Sequence, residues 1–311
     1  MQQYFATFPA GCYAIIIKQL KNFPISELEI LEHDESSVTF RTSLSVEKLI
    51  EVRYFTNVYV TYTSTTPFPK ELLKGRYFRL MGLVNGAPKQ LTSEVRQTIE
   101  RQIMKDLKLT AHTHLSRNDF YSITRASGIA ILALRLPRAK FKREVLQSGE
   151  LRPELAHILC LAAGLKAKHL FVDMFAGYGA IPLEAVRGFG CRNVIASDQT
   201  VLSSRHEHPA VTWYTADARK LSFITDATVD RVVTDPPWGK YEAQLDGVAT
   251  LYQGVFKEIA RILKRDGVAV IVSAYEDVPA YLAKETSLHK INQWNILVSG
   301  KKATVYKLQK V

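Results

Sequence analysis

The sequence predicts an α/β protein in which a mostly parallel, doubly wound sheet follows a smaller α+β module. Three observations carry that prediction. From Leu151 onward, short apolar strand patterns alternate with helical ones, which buries a parallel sheet between two layers of helices. Four aspartates, Asp173, Asp198, Asp217 and Asp235, each fall just past the end of a predicted strand. The net charge of +11 is confined to Lys70–Arg143, which holds sixteen Lys/Arg against five Asp/Glu, while the remainder has twenty-five of each.

With 311 residues, 47% hydrophobic and 23% charged, the chain has material for two compact domains and the balance of a folded protein, not a disordered one. The apolar run Tyr13–Ile17 is too short to span a bilayer and no positively charged leader precedes it, so neither membrane insertion nor secretion is expected. Cys12, Cys160 and Cys191 lie far apart without a CxxC pair, which suits a reducing, cytoplasmic setting and implies neither a disulfide framework nor a zinc site. His112/His114 and His206/His208 have HxH spacing but lack an evident third ligand, so no metal is expected.

In the first part of the chain, the apolar stretch after Pro9 through Leu20 predicts a helix and Ser37–Thr42 a strand. Ser45 is placed to cap a helix running through Leu49, Ile50 and Tyr54. Tyr77–Val84 reads as a strand. Thr92–Leu107 reads as an amphipathic helix whose Val95, Ile99, Ile103 and Leu107 face the core. Tyr121–Ala126 and Ile129–Leu134 form a hairpin about Ser127-Gly128. Pro137 ends it, and Arg135, Arg138, Lys140, Lys142 and Arg143 then supply a cluster suited to binding phosphates. For a lone run a solvated basic face is the plainer reading, but this segment abuts a catalytic-looking domain, which points to nucleic acid.

In the second part, Pro153 opens a helix through Leu161, in the first turn where its missing N–H costs nothing. Strands follow at Leu170–Val172, Val194–Ala196, Val211–Tyr214, Val229–Val233 and Val268–Val272, with a helix over Leu251–Leu263 before the last. Ile291–Val298 and Ala303–Leu308 close the domain as an antiparallel hairpin.

Ligands of open α/β sheets bind beyond the carboxyl ends of the strands. Gly177-Tyr178-Gly179 lets the backbone approach a ligand there, and Pro182, standing where a nicotinamide fingerprint needs its third glycine, disfavours a dinucleotide. Asp198 can accept from both hydroxyls of a ribose, and Asp217, in Thr215-Ala216-Asp217-Ala218-Arg219, from an adenine amino group. Any one of these acids could be a cap or a surface charge. In order, at successive strand ends, they describe a pocket for S-adenosylmethionine.

Val232-Val233-Thr234-Asp235-Pro236-Pro237-Trp238-Gly239 is the most specific motif. The two prolines stop sheet pairing and fix the backbone carbonyls. An exocyclic amine is a poor nucleophile because its lone pair is delocalised into the ring. If the Asp235 carboxylate and the Pro236 carbonyl each accept one N–H, the lone pair is turned toward a methyl donor. Trp238 is expected to stack on the base, a contact worth roughly 1–3 kcal/mol. A strand-end turn with a buried tryptophan is the alternative.

The motifs Leu151-Arg152-Pro153-Glu154-Leu155-Ala156, Asp173–Ala180, Asp235–Lys240 and Leu251–Gly267 together resemble those of the THUMP-containing tRNA guanine-N2 methyltransferases. The resemblance implies a ferredoxin-like unit over 1–65, a reduced THUMP-like RNA-binding domain over 66–140, a basic linker over 141–150 and a Rossmann-like class I methyltransferase domain over 151–311. It further implies that Pro153, Asp173, Phe175, Gly177, Gly179, Asp198, Asp217 and Ala218 hold S-adenosylmethionine. Asp235, Pro236, Pro237 and Trp238 would act on the base, with tRNA as partner and Lys240 among the RNA contacts. The helix that follows the second strand in that family is cut down here to Val201–Pro209. The competing readings are a DNA adenine-N6 methyltransferase and a non-catalytic RNA-binding protein that keeps the fold.

Overall fold

The computed structural model describes residues 1–22, 28–63, 67–125, 128–137, 146–239, 247–285 and 287–311. The chain divides into two compact units, Met1–Phe8 with Leu20–Phe141, and Pro9–Gln19 with Lys142–Val311.

The first unit is built on one nine-stranded sheet. Its strands are β1 (Gln2–Thr7), β2 (Glu29–His33), β3 (Ser37–Thr42), β4 (Asn57–Tyr62), β5 (Tyr77–Val84), β6 (Ala87–Pro88), β7 (Thr110–Ala111), β8 (Asn118–Thr124) and β9 (Ala130–Arg135), in the order β2-β3-β1-β4-β9-β8-β5-β6 with β7 beside β5. The expected boundary near residue 65 therefore falls within a single sheet, joined where β4 pairs with β9 (Val60 opposite Leu134). Phe5, Tyr59, Tyr121, Ile123 and Ala133 form a buried cluster on it. Two of the expected helices differ in detail. The one after Ser45 spans only Val46–Ile50 (α2, with α1 at Tyr13–Asn22), and the Ser45 side chain makes no capping bond to it. The other, α3 (Ser93–Leu107), is capped by Thr92 and buries Ile103 and Leu107 near its C-terminal end, but Val95 in its first turn is exposed.

Three of the basic residues in this unit hold the fold. Asp119 accepts from Arg79 at 2.6 and 3.0 Å and from Arg135 at 2.5 Å. Burial alone would raise the Asp119 carboxyl; the two guanidiniums overcome it and hold the group below its ordinary range. Buried Arg125 reaches Glu32 at 2.8 Å and Asp34 at 3.2 Å.

The second unit is a seven-stranded sheet in the order β12-β11-β10-β13-β14-β16-β15, comprising β10 (Leu170–Asp173), β11 (Asn193–Asp198), β12 (Val211–Thr215), β13 (Val229–Thr234), β14 (Leu263–Ser273), β15 (Leu288–Val298) and β16 (Lys301–Lys310). The first five run parallel and β16 is antiparallel between β14 and β15, so the expected terminal hairpin is present. Helices α4 (Pro153–Ala162), α5 (Ala180–Phe189), α6 (Val248–Ile262) and α7 (Val278–Leu282) complete it. In α6, Tyr252, Val255, Phe256, Ile259 and Ile262 fall at helical spacing and are all buried, each worth roughly 1.5–3 kcal/mol.

Pro9–Gln19, expected with the N-terminal module, belongs to this unit: Leu297 N–H donates to the Ala10 carbonyl at 3.0 Å. A chain cut at Leu151 would lose that segment of the unit.

Candidate active site

In a doubly wound sheet the order of strands reverses at one place, where the loops leaving two neighbouring strands diverge and open a crevice. Here that place lies between β10 and β13, paired through Phe171–Arg231 and Val172–Val232. The glycine turn leaves β10 and Asp-Pro-Pro-Trp leaves β13, so topology brings together two motifs about sixty residues apart.

Asp173 ends β10 with no exposed surface. Its Oδ1 accepts from the Thr234 hydroxyl at 2.8 Å and from Phe175 N–H at 3.2 Å, and Thr234 Oγ1 in turn accepts from Phe175 N–H at 3.1 Å. Thr234 thereby ties the two strand ends together, a role the sequence reading missed although it directly precedes Asp235. The second carboxylate oxygen, Oδ2, is buried without a hydrogen-bond partner among the described residues. Burial pushes the Asp173 carboxyl up to about 8 against the lowering effect of Thr234 and Phe175, and Asp198 and Asp235 add to the rise. All three carboxylates stand at the carboxyl ends of their strands, on one edge of the sheet.

This shift has a testable sign. The folded protein keeps a proton that the unfolded chain releases near 3.8, so the stability it contributes is full below that pH and is lost as pH rises toward about 8. Asp173→Asn, neutral throughout, should flatten this part of the profile in denaturant unfolding between about pH 5 and 9. An unchanged slope would contradict the buried, protonated acid.

Asp198 accepts from Gly177 N–H and Thr200 N–H, each at 2.9 Å, leaving further lone pairs for a ligand. Gly177 has φ +49° and a Cβ there would project into open space, so the turn presents bare backbone to the crevice. Gly179 differs: at φ +93° a Cβ would lie 3.1 Å from the Trp213 ring and 3.2 Å from the His206 carbonyl, so packing requires this glycine, not a ligand. No helix follows β11; the segment turns back instead, with His206 N–H donating to the Tyr178 carbonyl at 2.9 Å.

The other expected cofactor residues are less open. Asp217 is held by Arg219 at 2.6 and 3.0 Å, which lowers its carboxyl pKa and occupies the oxygens expected to receive an adenine amine. Ala218 packs into the hydrophobic core. Pro153 opens α4 as expected, and Phe175 packs partly buried against the core.

Asp235 Oδ1 accepts from Trp238 Nε1–H at 2.8 Å, and Trp238 is 8% exposed. A base needs an open ring face to stack on, so this departs from the expected stacking: the indole instead orients the carboxylate. Pro236 is buried. The Pro237 carbonyl accepts from the Tyr252 hydroxyl at 3.1 Å. Because that bond uses the only phenolic proton, Ser273 must donate to Tyr252 in their 2.6 Å contact, and Ser273 Oγ also accepts from Tyr275 N–H at 3.0 Å. Tyr252 is a second residue the sequence reading missed.

Of the expected RNA contacts, Arg135 is engaged by Asp119 and its guanidinium lies 5.5 Å from the centre of the Tyr121 ring. Arg138, Lys140, Lys142, Arg143 and Lys240 lie outside the described residues. His112 and His208 accept backbone N–H bonds and His206 faces Glu150 at 3.3 Å; among the described residues no His/Cys/Asp/Glu group is arranged to hold a metal.

Residues 192–304 match the family model UPF0020, the RMKL-like methyltransferase domain. TrmN from Thermus thermophilus superposes over the full length of both chains with a TM-score of 0.79 at 19% identity. The second unit has the Rossmann-like methyltransferase fold. A similar match, with a TM-score of 0.72 at 13% identity over 98% of this chain and 95% of the other, is to a protein described as a predicted N6-adenine-specific DNA methylase from Listeria monocytogenes. At sequence level the chain is 31% identical over 130 residues to a tRNA (guanine(10)-N2)-dimethyltransferase of Methanothermobacter thermautotrophicus. That match covers 39% of this chain and 38% of the relative.

The residues present fit an adenosyl cofactor: bare backbone at Gly177 and spare acceptor capacity on Asp198 suit an adenosine.

Proposed function

We propose that the protein methylates an exocyclic amino group of a tRNA base, guanine N2 in the first instance, using S-adenosylmethionine. The observation that carries the reading is the side-by-side placement, at the sheet's switch point, of the Gly177 turn and an Asp235 carboxylate oriented by Trp238. The cofactor supplies an electrophilic methyl group on a sulfonium. The protein's part is to hold the amine: Asp235 Oδ2 and the Pro236 carbonyl accept its two N–H bonds, drawing the nitrogen lone pair out of conjugation and toward the methyl donor. Asp235 can do this because Trp238 fixes its other oxygen, while Tyr252 holds the proline turn through the Pro237 carbonyl.

Guanine is favoured over adenine because the sequence-level relative is named for guanine N2, whereas the adenine-specific neighbour shares only the fold. Position 10 follows that relative's name, with position 6 the other candidate implied by the sequence resemblance. The first unit, as a ferredoxin-like and THUMP-like module, would bind the RNA in a cytoplasmic setting. No helix among the described residues is long and apolar enough to cross a membrane.

The basic segment gives a separate test. Neutralising Arg138, Lys140, Lys142 and Arg143 together should weaken tRNA binding and flatten its salt dependence by roughly 0.7–0.9 log units per lost phosphate contact, with cofactor affinity preserved. An unchanged salt slope in filter binding would make the cluster a solvated face.

A further inference from the structure

We propose that His206 and Glu150 form a clasp that fixes the rim of the cofactor crevice, which makes His206 a positioning residue for S-adenosylmethionine binding. The inference rests on the cofactor assignment made above. His206 lies in the segment Val201–Pro209, which follows β11 without forming a helix. Asp198, the acceptor assigned to the ribose, ends the strand that feeds this segment. A stretch without a helix's own hydrogen bonds has to be held by its neighbours; otherwise its freedom is lost only when the ligand binds, which lowers affinity.

The fold holds this segment at three places. His206 N–H donates to the Tyr178 carbonyl at 2.9 Å, between the two glycines of the turn, and the His206 carbonyl lies 3.2 Å from where a Gly179 Cβ would stand. One residue earlier, the Arg205 guanidinium lies 4.7 Å from the centre of the Trp213 ring on β12, with Arg205 Nε and Nη2 donating to Glu207 at 3.2 and 3.1 Å. The third hold is the imidazole itself, whose Nε2 faces Glu150 Oε1 at 3.3 Å.

Glu150 belongs to a different element. It closes the turn Gln147–Glu150 that leads into α4: its N–H donates to the Gln147 carbonyl and its Oε2 accepts from Gln147 N–H, each at 3.0 Å. Its side chain is 1% exposed, so the carboxylate needs polar partners within the protein, and His206 is one of them. Pro153, one of the expected cofactor residues, stands just beyond this turn in the first turn of α4. One histidine thus holds the glycine turn through its backbone and the turn before α4 through its side chain. Alanine at this position would keep the first link and lose the second.

The test measures S-adenosylmethionine affinity of the full chain by calorimetry in a double-mutant cycle. His206→Ala and Glu150→Ala should each weaken binding about tenfold, and the double variant should lose no more than about twofold beyond either single change, since all three lose the same link. His206→Gln keeps an amide donor for Glu150 and should recover most of the loss, which a residue that only fills space would not show. Asp198→Ala, run alongside, reports on the cofactor assignment: unchanged affinity there overturns both readings. With Asp198→Ala weakened, unchanged affinity in the His206 and Glu150 variants, additive losses, or no recovery by glutamine overturns the clasp alone. A second measurement needs no variant. In the wild-type protein, cofactor should slow amide exchange in 147–150 and 205–207 together with 176–179, and protection confined to the glycine turn would contradict a shared rim.

Discussion

Asp235→Ala should lower single-turnover methyl transfer to tRNA by on the order of 10²–10³-fold while S-adenosylmethionine affinity stays within about twofold. The size follows from losing one preorganised acceptor at the reacting nitrogen, typically about 2.7–4 kcal/mol, and the selectivity follows from the carboxylate contacting the amine and not the adenosine. Asp235→Asn separates placement from charge, since its amide oxygen can still accept the Trp238 indole N–H. It should fall between wild type and Asp235→Ala. Trp238→Phe keeps an aromatic ring but frees the carboxylate, so it should lower kcat, whereas loss of a stacking platform would raise KM. A tenfold loss of cofactor affinity in Asp235→Ala, or retained turnover, would count against the assignment.

The second large effect is expected at Asp198. Its carboxylate holds the backbone N–H groups of Gly177 and Thr200, so Asp198→Ala removes two charge-assisted bonds that shape the turn, besides any made to a ribose. Each such bond contributes roughly 1.5–3 kcal/mol. The loss of cofactor affinity should therefore be at least about tenfold, and more than about 100-fold if both act in full. Gly177→Val should also weaken binding, because a β-branched residue is strained at φ +49° and its side chain would occupy the open crevice. Calorimetry of both variants checks this; unchanged affinity in both would remove the cofactor site from this edge.

The sheet of the second unit was legible because a parallel strand buried on both faces reads as a short continuous apolar run, and each run here ends at a polar turn residue. Asp173, Gly177, Asp198 and Asp235 were legible for the same reason: the strand end fixes their place before any packing is known. Val95 was misjudged because helical spacing gives a stripe but not how much of its length is covered.

Long-range partners were not legible. Arg219 holding Asp217 follows from a two-residue spacing, but Tyr252 reaching Pro237 and Thr234 reaching Asp173 depend on which strands neighbour each other. Trp238 illustrates the limit best: an aromatic after Pro-Pro suggests stacking, and only burial and a 2.8 Å bond reveal that it serves Asp235. The attachment of Pro9–Gln19 to the second unit rests on contacts nearly three hundred residues apart in sequence, such as Ala10 with Leu297, for which no local pattern exists.

The central claim is that this crevice transfers a methyl group to a guanine amine in tRNA. It is tested most directly by incubating the full chain with labelled S-adenosylmethionine and either total tRNA or DNA, then digesting the product and identifying the nucleoside by mass spectrometry. The account predicts N2-methylguanosine in tRNA, absent with Asp235→Ala; N6-methyladenine in DNA, or no labelled nucleoside from a protein that binds the cofactor, would contradict it.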